Sequence, residues 1–252
     1  MSHSEGRPVV LITGAATGVG RQCARRFAAS GFDVVINYLG PDQGDAEQTK
    51  RLVMEESARG VLMKCDVSCD VDVRGMAAAI DAEFGCLDAL VNCAGTTEFV
   101  QHEDLEGMTE EAWDRILAVN TKGPFFVVRA CIPLLKRQAQ AAIVNVASVA
   151  GISGAGSCLA YCASKGALNT MTKSLARALA PEIRVNAVCP GPIDSGWLRR
   201  GMTEQQMKNR VENFPIPRLA QPDDVVDAIH YLATGTSLTT GQILVVDGGR
   251  TM

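Results

Sequence analysis

Seven short aliphatic runs recur along the chain, separated by longer stretches of helical periodicity, and this alternation restricts the architecture more than any other feature. The runs are Val9 to Ile12, Val34 to Asn37, Val61 to Cys65, Leu87 to Val91, Ile143 to Val146, Arg184 to Val188 and Ile243 to Val246. Each has strand length and mostly lacks polar alternation, as expected where both faces of a strand are covered. Between them the periodicity predicts helices at Val19 to Ser30, Asp42 to Arg59, Val71 to Phe84, Thr109 to Gln138, Leu159 to Leu179 and Pro222 to Ala233. Strand and helix in succession predict an α/β, doubly wound fold: a seven-stranded parallel sheet with helices on both faces and ligands outside the carboxyl ends of its strands. The connections are short, so residues 1–252 are expected to form a single domain. One stretch breaks the rhythm. Residues 192–221 carry Trp197, Leu198, Met202, Met207 and Phe214 and exit through Pro215 and Pro217, which reads either as a flap over a substrate or as a packed surface segment.

Composition narrows the function classes. The chain is 47% hydrophobic and 21% charged, enough to bury a large core. A formal charge of -4 and a pI near 5.5 argue against a nucleic-acid surface or a polybasic membrane anchor. No run approaches the ~18 apolar residues of a membrane span, and the opening MSHSEGRP lacks a signal pattern. The nine cysteines are scattered through apolar contexts, and the histidines (His3, His102, His230) have no thiolate pair beside them, so no metal site is expected. Free thiols fit a soluble protein of a reducing cytoplasm.

The first run leads directly into Thr13-Gly14-Ala15-Ala16-Thr17-Gly18-Val19-Gly20 and then into a helix. Strand, glycine turn and helix together make an anion cradle: glycines let the backbone approach a pyrophosphate, and unpaired amides at the positive helix end receive it. A dinucleotide site of this kind often carries an acid at the end of the second strand to accept hydrogen bonds from the ribose. This chain offers the neutral pair Asn37-Tyr38, which would not repel a 2′-phosphate, so NADP(H) is favoured over NAD(H). Neither Thr17 nor Tyr38 supplies a positive charge, although their hydroxyls can donate to a phosphate.

Tyr161 and Lys165 stand four apart in a helical stretch and share one face. A phenol of pKa ~10 exchanges protons poorly near neutrality, and bringing it to ~7 needs about 4 kcal/mol, which a close ammonium in a partly dry site, with the positive nicotinamide of a bound cofactor adjacent, is expected to supply. Tyr161 then gives a proton to a ketone or takes one from an alcohol. Ser148 follows the run Ile143 to Val146 and faces the same cleft, where its hydroxyl can stabilise charge on the substrate oxygen. The sequence Ala147-Ser148-Val149 is not a nucleophile elbow, so acyl-enzyme chemistry is disfavoured.

The TGxxxGxG spacing, the Tyr161/Lys165 pair, Ser148, Asn92-Cys93-Ala94-Gly95 and Pro190-Gly191 together resemble the classical short-chain dehydrogenase/reductase family over essentially the whole chain. The resemblance implies a Rossmann-type fold, an NAD(P)(H) cofactor and a small-molecule carbonyl or alcohol substrate. By family likeness Asp66 and Val67 hold the adenine, and Asn92, Ala94 and Gly95 form the family's NNAG turn, with Cys93 in place of the second Asn. Pro190, Gly191 and Ile193 lie along the nicotinamide, Ser195 stands in for the usual Thr, and Asn120 holds a water linking Lys165 to solvent. The chain is most similar in look to β-ketoacyl carrier-protein reductases, with dehydrogenases of sugars, polyols or steroids, or a sensor that has lost turnover, as alternatives. An acyl carrier protein is doubtful as a partner: Lys136 and Arg137 are followed by Ala139, and Pro181-Glu182 ends the Tyr161 helix, although Arg199 and Arg200 on the flap can contribute long-range attraction. The resemblance also implies a homotetramer.

Overall fold

Aliphatic runs without polar alternation settle only where helices cover both sheet faces, and the computed structural model, which describes residues 6–201 and 203–252, shows that arrangement. Met202 lies outside the described residues, as do the side chains of Trp197 and Arg200. The elements run β1 (Val9–Ile12), α1 (Gly18–Ala29), β2 (Asp33–Tyr38), α2 (Gln43–Glu55), β3 (Gly60–Lys64), α3 (Asp70–Phe84), β4 (Ala89–Asn92), α4 (Glu110–Leu117), α5 (Gly123–Leu135), β5 (Ala141–Val146), α6 (Ala150–Ser153), α7 (Leu159–Leu179), β6 (Ile183–Pro190), α8 (Gly196–Gly201), α9 (Glu204–Val211), α10 (Pro222–Thr234) and β7 (Ile243–Val246). The seven strands pair in parallel in the order β3-β2-β1-β4-β5-β6-β7. Because the order reverses between β1 and β4, their flanking helices diverge and leave a crevice beyond the carboxyl ends of the strands.

Two apolar clusters flank the sheet. Val10, Ile12, Val34, Ile36 and Val144 pack with Phe27 of α1 and Val225 and Ile229 of α10; Leu11, Val35, Leu90 and Ile143 pack with Ile80 of α3 and Val128 and Leu135 of α5. Alternate residues of one strand thus feed opposite layers, which is why the runs are continuously apolar. Truncating one of the fully buried side chains, such as Ile12 or Leu90, to Ala is worth about 2–5 kcal/mol. The outermost strands are the more open: β3 is only partly buried along its length, and Leu244 and Val245 of β7 are exposed.

Two predicted helices differ from the structure. The stretch expected to be helical from Asp42 to Arg59 ends at Glu55, and Ser57 takes a positive φ of 58° before β3 begins. The expected helix from Thr109 to Gln138 divides into α4, a π-helical turn over Ala118–Lys122, and α5. Pro124 has no N–H for the carbonyl four residues back, and within the turn Gly123 N–H reaches five residues to Ala118 O. The break at residues 192–221 holds α8 and α9 and is closed at its base, where Asp194 N–H donates to Ala220 O at 2.8 Å and Ala220 N–H to Pro192 O at 3.0 Å.

Candidate active site

The glycine turn sits at the switch point. Gly14 takes φ +62°, and a Cβ there would lie 2.8 Å from Ala94 Cα, so only glycine lets the first turn close against the turn after β4. Thr13, fully buried before it, welds the two turns: its Oγ1 accepts from the N–H groups of Cys93 at 3.0 Å and Ala94 at 3.1 Å. Farther along, Thr17 and Gly18 are exposed at the start of α1, and nothing lies within 4 Å of the space a Gly18 Cβ would take. The first amides of α1 therefore face open space, a surface that fits a dinucleotide pyrophosphate.

Asn37 is placed differently from expectation. Its side chain is buried; Oδ1 accepts from Gly14 N–H at 3.1 Å, and Nδ2 donates to Cys65 O at 3.1 Å and Met63 O at 3.3 Å. All of its hydrogen bonds hold the glycine turn to β3, so its amide is not presented to a ribose. Tyr38 is also largely buried, packed in the core layer with α1 and α2. Asp66 is tucked into a turn. Partial burial works to raise its pKa but is outweighed by hydrogen bonds from Ser68 N–H and Oγ and by the charge of Arg115, so its carboxyl stays below the usual range. Val67 is buried beside it.

The structure brings Ser148, Tyr161 and Lys165 together. α7 runs uninterrupted through 21 residues, and Cys158 caps its start by accepting from Tyr161 N–H at 3.4 Å. α6 crosses α7 so closely that a Cβ on Gly151 would meet the Lys165 carbonyl carbon at 2.4 Å. That contact holds Ser148, two residues before α6, over the Tyr161 turn. The Ser148 and Tyr161 hydroxyls are hydrogen-bonded to each other, and Ser148 Oγ also accepts from Ala150 N–H at 3.1 Å. Lys165 is 4% exposed; its Nζ donates to Val146 O at 2.8 Å and sits 5.7 Å from the centre of the Tyr161 ring.

Without a cofactor's positive charge beside it, the phenol is not acidified by the lysine. Burial pushes Tyr161 up to about 12, only partly opposed by its bond with Ser148. Burial likewise lowers Lys165 to about 8. In the protein alone desolvation therefore wins over attraction, and Tyr161 keeps its proton at neutral pH.

Asn120, in the π-helical turn, is completely buried. It donates to Thr96 O at 2.9 Å and Ser164 Oγ at 3.1 Å and accepts from Thr96 N–H at 2.8 Å, so its side chain binds the loop after β4 to α7. A second polar ladder lies beneath the site: Asn92 Nδ2 donates to Asn145 Oδ1, and Asn145 Nδ2 to Thr172 Oγ1, both at 2.9 Å. Thr13, Thr96, Asn145 and Ser164 were not singled out by sequence. The one legible signal was Asn145, a polar residue inside a buried apolar strand, which requires internal partners. Pro190 O accepts from Val149 N–H at 3.1 Å, tying the ends of β5 and β6, and Gly191 N–H donates to Val246 O at 2.9 Å. Ile193 pairs with Ala220 at the base of the excursion. Ser195 Oγ is engaged locally, at 3.4 Å from both Ile193 O and Leu198 N. Val100, Met108 and Ile116 form an apolar wall beside Tyr161, while Ala94 and Gly95 line the turn after β4.

Comparison with known proteins agrees with this geometry. A family model described as enoyl-(acyl carrier protein) reductase matches residues 14–251. A protein assigned as ketoacyl reductase 2 of the granaticin polyketide synthase of Streptomyces violaceoruber is 37% identical over 243 residues, covering 96% of this chain and 95% of that protein. The 3-oxoacyl-[acyl-carrier-protein] reductase FabG of Staphylococcus aureus is 34% identical over 247 residues, covering 96% and 97%. A structure assigned as a short-chain dehydrogenase/reductase from Burkholderia xenovorans superposes with a TM-score of 0.92 at 35% identity, covering 98% of each chain. The chain belongs to the short-chain dehydrogenase/reductase family and is an NAD(P)(H)-dependent oxidoreductase that interconverts a ketone and a secondary alcohol.

Proposed function

We propose that the protein reduces a 3-oxoacyl group with NADPH, in one domain spanning residues 1–252 whose excursion at 192–221 acts as a substrate flap. The observation that carries the reading is the pair of Ser148 and Tyr161 hydroxyls, hydrogen-bonded to each other with Lys165 Nζ 5.7 Å from the centre of the phenol ring. The substrate oxygen is received between Ser148 and Tyr161: Ser148 donates to it, and Tyr161 delivers the proton as negative charge develops there. Lys165 orients the phenol and, once it has given up its proton, stabilises the phenolate left behind. Asn120 holds the loop and α7 in register. The bound nicotinamide supplies the hydride.

Gly14, Thr17, Gly18, Val19 and Gly20 would receive the pyrophosphate. Asp66 and Val67 would hold the adenine, and Asn92, Ala94, Gly95, Pro190, Gly191, Ile193 and Ser195 would border the nicotinamide half. The partly buried apolar side chains of Val100 and Met108 beside Tyr161 and the activities for which the ketoacyl reductase relatives are named support an acyl substrate. A carrier-protein partner gains little support, because Arg137 pairs with Asp81, and Arg199 with Asp194 and Glu204. Exposed Phe125, Leu244 and Val245 suit burial between subunits of a homotetramer.

The test is NADPH oxidation with an acetoacetyl thioester beside a panel of sugars, polyols and cyclic ketones. Preferential turnover of the thioester supports the reading, and turnover confined to sugars overturns the substrate class. Tyr161→Phe is expected to lower turnover about 10²- to 10⁴-fold with NADPH affinity retained; full activity would remove Tyr161 as the proton donor.

A further inference from the structure

The second strand ends without an acid, and neither Asn37 nor Tyr38 faces outward as a substitute, so selection for a 2′-phosphate needs a positive charge from elsewhere. Lys64, the last residue of β3, lies directly opposite Tyr38, the last residue of β2. Its side chain reaches over the exit of β2: a Cβ on Gly40 would lie 3.0 Å from Lys64 Cε and 3.3 Å from Nζ. The absence of a side chain at Gly40 leaves the ammonium its place. No carboxylate lies within ion-pair distance of it among the described residues, whereas Arg21, the nearest cation along the glycine turn, is bound to Ala16 O and to Asp45 Oδ1 at 2.8 Å. A cavity of about 430 Å³ opens on the same edge, lined among others by Leu39, Lys64, Asp66 and Asp72. Lys64 therefore shares one space with Asp66, proposed above to hold the adenine. Asp66 is already engaged by Ser68.

We propose that Lys64 is the specificity-determining residue that pairs with the 2′-phosphate of NADPH. This rests on the NADPH reading above. A phosphate attached to the adenine-bearing ribose would meet the ammonium at the mouth of this cavity, where a charge-assisted hydrogen bond replaces two solvated charges.

Dissociation constants for NADPH and NADH, measured by dinucleotide fluorescence without substrate, test it in wild type, Lys64→Gln and Lys64→Arg. Expected is a loss of NADPH affinity of about tenfold in Lys64→Gln, NADH affinity unchanged, and recovery in Lys64→Arg. Competition by 2′,5′-ADP should weaken in parallel while competition by 5′-AMP does not. If wild type prefers NADPH and Lys64→Gln keeps that preference, or loses both dinucleotides equally, the Lys64 assignment falls and the NADPH reading stands. If wild type binds NADH at least as tightly, the NADPH reading falls and the assignment falls with it.

Discussion

Lys165 is nearly inaccessible, and replacing it by Met should make the ligand-free protein more stable at neutral pH. Burial lowers its pKa from 10.5 to about 8, which at about 1.4 kcal/mol per pKa unit disfavours the buried ammonium by about 3 kcal/mol. Methionine fills a similar volume without the charge, at the cost of the 2.8 Å hydrogen bond to Val146 O, worth about 1 kcal/mol. The net gain is about 2 kcal/mol at pH 7. Its pH dependence has a definite sign. Below pH 8 both folded and unfolded chains hold the lysine proton and the full penalty stands; between about 8 and 10.5 the folded protein releases the proton first, so wild type recovers stability as pH rises. The advantage of Lys165→Met should shrink by about 1 kcal/mol from pH 7 to pH 9. Urea unfolding of both proteins at each pH gives this difference directly. A variant less stable than wild type at pH 7, or a gap independent of pH, would refute the claim that desolvation governs this site.

Two further substitutions probe the framework. Gly14→Ala places a Cβ 2.8 Å from Ala94 Cα in a backbone with φ +62°, and should cost at least about 1–3 kcal/mol and weaken dinucleotide binding; unchanged urea midpoint and affinity would contradict the tight closure. Asn37→Asp turns the donor that faces Met63 O and Cys65 O into an acceptor, and should lower stability by about 3 kcal/mol or more at pH 7. A stable Asn37→Asp protein with improved NADH affinity would instead show that this side chain faces the ribose.

What sequence can and cannot convey separates cleanly at particular residues. Continuous apolar runs encode two-sided burial, so Val9–Ile12 and Ile143–Val146 identified their strands and, with them, the sheet. Tyr161 and Lys165 lie on a helix whose ends, Leu159 and Leu179, were read in full because no proline or glycine turn interrupts it before Pro181. Asn37 was misread because its role depends on partners at residues 14, 63 and 65. The π-helical turn around Asn120 was missed for a related reason. Periodicity over 30 residues averages out a single widened turn, and Pro124 marks it only to a reader who asks where the preceding carbonyls find donors.

The protonation of Tyr161 follows from the same distinction between local pattern and three-dimensional surroundings. Spacing places a phenol near an ammonium, but attraction lowers a pKa only in proportion to how the pair is aimed and how much solvation each has lost. Here Nζ is spent on Val146 O and lies against the ring, at 5.7 Å from its centre, while burial disfavours the charged form of both groups. The free protein is therefore set as a proton donor whose conjugate base is costly. Delivering a proton to a ketone needs this protonated form and accepting one from an alcohol needs the phenolate, whose cost the spacing of the pair alone would not have revealed.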